Sequence, residues 1–290
     1  MGFSVRATDP SFLDLVRPHL AHLRVDEPTE HELPFSASVA EDRVLPGGKK
    51  TRGVNNLYFG MLRIYRGPYL EEMSGRLLSA ARDVLTNGQD QFVRLRGGAV
   101  EVDGRAILLV SPDPEAHQAA MTALLAERGG RFIGEGVLEL DPVLRRLHPS
   151  ALPPLLYAGD LELFPGLAEQ PVRRRKRGDP GREVMLPPRP APLQALGAGR
   201  AEGPVPLGWI VFPTFDSSQE TQLEPAGGAA LLFRFAEAIL NRHVWRDRSL
   251  ILLRDLLDGN AVSRLSVGSM AEAADLLMRT APGLMKGVSA

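Results

Sequence analysis

The sequence contains no cysteine. That excludes disulfides, thiolate zinc sites and a cysteine nucleophile. Net charge is also nearly absent: 34 Lys+Arg stand against 35 Asp+Glu, for a formal −1. Nothing global therefore points to nucleic acid or anionic lipid. No apolar run approaches the roughly 20 residues of a membrane helix. "MGFSVRATDPSF" lacks the long apolar segment of a secretion signal. There is no GxSxG elbow for a hydrolase serine, no internal repeat, and no dinucleotide fingerprint. The glycine pairs of "LRGGAV" and "PAGGAALL" read as turns and helix starts. A soluble, cytoplasmic protein is expected. What is present is core-forming material: 44% of 290 residues are hydrophobic, enough for one large domain or a domain with a smaller annex.

Residues 1–90 read as a small α+β domain. "DPSFLDLVRPHLAHL" places Leu13, Val16, Leu20 and Leu23 at helical spacing, with Asp9 or Ser11 as cap. Asn56–Gly67, "NLYFGMLRIYRG", alternates and reads as a strand. Tyr69–Leu85 follows as an amphipathic helix stopped near Asn87-Gly88. The second domain, 91–290, opens with "GGAVEVDGRAILLV", two apolar runs joined by the hairpin signal Asp103-Gly104. The uniformly apolar Ala106–Val110 is what a strand buried on both faces requires. A helix over Pro114–Arg128 comes next, and then "RFIGEGVLELDP", a strand bent at Gly134–Gly136. "PLGWIVFPTF" is a further strand, whose Trp209, Phe212 and Phe215 read as core. "GGAALLFRFAEAILNRHV", "SLILLRDLL" and "MAEAADLLMRTAP" read as helices.

Hairpin, buried strand, tight loop, helix and further strand make the scaffold of a P-loop site. A P-loop, GxxxxGK[ST], closes backbone N–H groups on phosphates, reaches the outer ones with its Lys and holds Mg²⁺ with its hydroxyl. The corresponding window is Pro112, Asp113, Pro114, Glu115, Ala116, His117, Gln118 and Ala119. Proline and His117 stand at the two glycine positions, Gln118 at the lysine and Ala119 at the Ser/Thr. Asp113, Pro114 and Glu115 read as N-cap, N1 and N2 of a helix. Carboxylates there take up the positive helix end that would otherwise attract phosphate. The alternative is an acidic metal site formed by Asp113, Glu115, His117 and Glu135.

The order of segments from about Gln91 to Thr280 resembles the HPr kinase/phosphorylase-like family, of the phosphoenolpyruvate-carboxykinase-type P-loop fold, particularly its shorter bacterial relatives. "LRGGAVEVDGRAILLV" looks like the strand pair leading into that family's P-loop, and "ALLAERGGRFIGEGVLEL" like its helix end and next strand. "GPVPLGWIVFPTF" and "RLSVGSMAEAADLL" look like its later central strand and terminal strand-turn-helix. The resemblance implies an α/β HPr-kinase-like core beside the small N-terminal α+β domain, and a homo-oligomer. It carries the family's Asp pair onto Glu135 and Gly136, and its histidine before the "AAV" strand onto Arg96. Only Glu135 remains as an acidic remnant. Phosphoryl transfer rests on Lys and Mg²⁺ neutralising charge, and neither is supplied.

The sharpest charge feature is Arg173, Arg174, Arg175, Lys176 and Arg177, inside a Pro/Gly-rich loop at about 170–203. It reads as a solvated loop or as a binding loop for an acidic peptide or phosphate. No aromatics are interleaved with it, which argues against nucleic acid. The six histidines are scattered; His19 and His22 read as surface residues rather than metal ligands. The expectation is a pseudokinase working as a protein- or peptide-binding scaffold or regulator, with no cofactor and no metal. One alternative is an active ATP/Mg-dependent phosphotransferase recruiting Arg96, Arg131 or Lys176 in place of the lysine. Another is a small-molecule binder using the former nucleotide cleft.

Overall fold

The computed structural model describes residues 2–20, 23, 32–44, 46, 48, 50–87, 90–111, 117–150, 152–157, 159–167 and 189–285. The chain is mixed α/β and divides into two compact units: Met1–Gly88 with Leu155–Pro190, and Gln89–Pro154 with Ala191–Ala290. Among the described residues no helix is long and apolar enough to cross a membrane.

The first unit is a four-stranded sheet backed by two helices. Its elements are β1 (Gly2–Ala7), α1 (Pro10–Leu20), β2 (Glu32–Ser38), the short pair β3 (Arg43–Val44) and β4 (Lys50–Thr51), β5 (Asn55–Phe59), β6 (Leu62–Gly67) and α2 (Leu70–Asn87). The sheet runs β1-β2-β5-β6, parallel at its first pair and antiparallel beyond. Asp9 starts α1 by accepting the Ser11 N–H at 2.8 Å. Hydrogen bonds from the Ser11 hydroxyl and N–H hold its carboxyl below the usual range. The helix buries Phe12, Val16 and His19, spaced i, i+4, i+7. His19 is thus a core residue rather than a surface one, and desolvation pushes its imidazole pKa down; His22 lies outside the described residues.

Asn56–Gly67 is two strands, not one. Gly60, at φ 56°, turns the chain so that Phe59 pairs with Leu62. Alternation continues through a tight turn, which is why the sequence read as a single strand. The segment from Leu155 to Pro190, placed by sequence in the C-terminal domain, groups with the first unit. There β11 (Leu155–Leu156) pairs antiparallel with β12 (Arg189–Pro190), which packs on α2.

The second unit is built on a seven-stranded sheet. Its elements are β7 (Val93–Val102), β8 (Arg105–Val110), α3 (His117–Glu127), β9 (Arg131–Leu140), β10 (Arg146–His148), β13 (Val205–Phe215), β14 (Gln222–Pro225), α4 (Ala229–Glu237), α5 (Arg242–Gly259), β15 (Ala261–Val267) and α6 (Met270–Met285). The order is β10-β9-β7-β8-β13-β15-β14. β8, β13 and β15 are parallel; β7, β9 and β14 run against their neighbours. Asp103 and Gly104 have φ of 50° and 79°, a two-residue turn with both centres left-handed, closed by the Val102–Arg105 pair.

Side chains on one face of the sheet, including Leu95, Leu108, Ile210 and Phe212, form a core with Leu231 and Phe235 of α4 and Leu253 and Leu256 of α5. The opposite face carries α3 and α6, which also pack on each other. Gly97 and Gly98, read from sequence as a turn, lie in the middle of β7. Their function there is clearance: a Cβ on Gly98 would stand 1.9 Å from the Thr122 hydroxyl of α3. The other pair behaves as expected, with Gly228 capping α4.

The long helix expected across "GGAALLFRFAEAILNRHV" is broken after α4. Residues 238–240 leave the helix in a turn and bridge to β7 at Ile239, opposite Leu95: Arg96 N donates to Ala238 O at 2.7 Å, and Leu240 N to Arg94 O at 2.9 Å. This segment pairs with β7 beyond the point where β8 ends, Gly97 being opposite Val110. A second break follows at Arg246, whose φ of 43° and ψ of −131° kink α5.

Candidate functional site

In an α/β sheet the carboxyl ends of the parallel strands are the usual place for a ligand. Here that edge is the end of β8, the start of α3 and the end of β13. Of the expected P-loop window, Pro112, Asp113, Pro114, Glu115 and Ala116 lie outside the described residues; His117, Gln118 and Ala119 open α3.

The two positions that would carry lysine and Mg²⁺-binding hydroxyl face inward. Gln118 is 5% exposed, and its side-chain amide donates to the carbonyl of Leu109, in β8, at 2.8 Å. Ala119 is 3% exposed. Thr122 donates its hydroxyl to Gln118 O at 2.9 Å. Residues 118–126 are all buried, so α3 is held by the sheet and by α6 around most of its surface. Arg128, at its end, is tied to Asp275 of α6. His117 alone of the three is exposed, its ring 5.5 Å from that of Phe215 at the end of β13.

Glu135 sits on β9 directly opposite Gly98, and Gly136, φ 79°, opposite Gly97. Paired residues of an antiparallel ladder share a face, so Glu135 projects to the α3 side, where it is buried. Arg96, half-buried and opposite Val137, is on the same face. Arg131 is not: it begins β9, beyond the C-terminal end of α3. An eleven-residue helix is about 16 Å long, which separates it from the helix start. Its guanidinium is engaged there by Glu101, through contacts of 2.8 to 3.0 Å. Arg131 is therefore not placed beside the start of α3, where it would have to stand in for the lysine. Arg173–Arg177 and Lys176 among them lie outside the described residues.

Two features escaped the sequence reading. Arg94, Glu139 and His148 form a row across β7, β9 and β10, since Arg94 pairs with Glu139 and Glu139 with His148. Burial pushes the Glu139 carboxyl pKa up and the Arg94 charge pulls it partly back. The His148 ring packs 4.4 Å from that of Phe92. A period-two count from Glu135 would have found Glu139 on the same face; the link to His148 spans strands and has no local signal. The second is Asp216, immediately after β13. Hydrogen bonds from Ser218 and Gln219 hold its carboxyl below the usual range. They also occupy it within its own turn.

Among the described residues no group of three or more His, Asp or Glu is arranged to hold a metal ion. No protein-family model matches the chain, and no curated protein sequence matches it.

Proposed function

We propose that the chain is an HPr-kinase-like protein whose phosphate-binding position has been converted to a structural one, and that it works as a protein- or peptide-binding scaffold. The observation carrying this reading is the Gln118–Leu109 hydrogen bond. A lysine at that place would have to point out over the loop; the glutamine is buried and satisfied by its own sheet. Ala119 adds no hydroxyl for a metal. The strand order around β8, with an antiparallel hairpin on one side and parallel β13 and β15 on the other, supports the P-loop-type architecture that the segment order suggests.

Titration with ATP, with and without Mg²⁺, by calorimetry and thermal shift tests it. A site saturated at about 100 times its dissociation constant adds roughly 2.7 kcal/mol, a rise of several degrees in a chain this size. The expected result is no shift at millimolar ATP. Saturable, Mg²⁺-dependent binding that disappears in Glu135→Ala overturns the proposal in favour of an active phosphotransferase.

A further inference from the structure

The four-stranded sheet of the first unit has one covered face and one bare face. Phe35, Leu57 and Tyr65 point to the buried side with the α1 and α2 side chains; their neighbours Ser36, Tyr58 and Arg66 point away. Register assembles the bare face into rows. Arg6 pairs with Ser36, Ser36 with Tyr58, and Tyr58 with Arg63. In the adjacent row Ser38 pairs with Asn56, and Asn56 with Arg66. Neither row contains a carboxylate. Arg6, Ser36, Arg63 and Arg66 are exposed, and among the described residues the three arginines enter no ion pair.

We infer that this face is a docking surface for an acidic peptide segment in extended conformation. Charge complementarity is one argument: three guanidiniums that enter no ion pair among the described residues occur together on a chain whose net charge is −1, so the patch is local and not a reflection of a basic protein. Spacing is the other. Three strand-to-strand steps put the backbones of Arg6 and Arg63 about 14 Å apart, while carboxylates at i and i+4 of an extended peptide lie about 13 Å apart. Such a peptide crossing the sheet would meet a guanidinium at each end, in the charge-assisted geometry arginine favours. The hydroxyls of Ser36 and Tyr58 lie in the row between. Single-stranded nucleic acid fits less well. It is held by several stacking aromatics along a continuous basic groove, and these two rows offer Tyr58 alone.

The inference deepens the scaffold reading by naming a surface and a partner, and the two fail separately, because the ATP titration probes α3 and not this sheet. The test is fluorescence anisotropy of the full chain with a labelled octapeptide alternating Glu and Ala, its Gln-Ala counterpart, and a single-stranded oligothymidine. The Glu peptide is expected to bind saturably at low salt, weakening with added salt, and the Gln peptide to be silent. Arg6→Gln and Arg63→Gln should each weaken binding about three-fold or more, with melting temperatures unchanged. Arg17→Gln, at a cation paired with Asp14 on α1, should leave it intact. No binding at millimolar peptide, or equal loss in Arg17→Gln, overturns the inference. Tighter binding of the oligothymidine through the same arginines overturns it in favour of nucleic acid.

Discussion

Gln118 and Leu109 join the first turn of α3 to the strand that leads into it, by one buried hydrogen bond of 2.8 Å. Under the proposed reading a P-loop would use the side chain at this position for its ligand; the Gln118 side chain bonds its own sheet instead. Helix α3 is seated against β7, β9 and α6, and Gln118 fixes its start at a set height above β8.

The first prediction is therefore structural. Gln118→Ala loses one net hydrogen bond and some packing, about 1–2 kcal/mol, which lowers the melting temperature by a few degrees in a domain of this size. Gln118→Lys, which introduces the residue a P-loop would carry, should be worse, because the ammonium loses its hydration where the glutamine is 5% exposed. Thermal melts of the two variants, ranked against each other, check it. Lys more stable than Ala would mean that the position opens outward.

A second prediction concerns the glycines of β7. Gly98→Ala places a methyl group 1.9 Å from the Thr122 Oγ1 and 3.1 Å from its Cβ. Rotating the threonine does not clear the space, since its Cγ2 is also within 3.4 Å of the new atom. The helix must lift, at about 1–3 kcal/mol or more. Trimming the partner in Gly98→Ala/Thr122→Ala should recover part of that loss. A double-mutant cycle by denaturant unfolding measures it, and strict additivity of the two changes would refute the clash.

These two residues also show what the sequence could and could not convey. The Asp103-Gly104 turn, the buried run Ala106–Val110 and the capping Asp9 were legible because their signals are local: dihedral demand, apolar continuity, a carboxylate before a helix. Gly97-Gly98 was misread because a glycine pair has the same local meaning in a turn and under a close-packed helix; only the approach of Thr122 distinguishes them. His19 looked like a surface residue because polarity was weighed above its i+7 relation to Phe12. The break at residues 238–240 follows from hydrogen bonding to Arg94 and Arg96, more than a hundred residues away in sequence. The Arg6–Ser36–Tyr58–Arg63 row depends on register between four strands, which alternation within each strand does not fix. At the start of α3, a glutamine standing where the proposed P-loop reading would need a lysine was legible in the sequence, whereas the inward turn of Gln118 was not.

The last prediction uses Glu139. Its folded pKa is raised, first by desolvation and against the pull of Arg94. The folded state therefore favours the protonated carboxyl. The stability associated with this group is fully present below its ordinary unfolded pKa, about 4.3, and is lost as pH rises through the folded value. At neutral pH the ionised group opposes folding, so Glu139→Gln should be more stable than the wild type at pH 7. The advantage should shrink as pH falls and vanish below about 4, where both side chains are neutral. Paired melts at a series of pH values would show it. The opposite trend, with the wild type favoured at pH 7, would mean that the Arg94 charge outweighs burial, and that the row Arg94–Glu139–His148 is an ion-paired cluster, not a desolvated carboxyl beside an arginine.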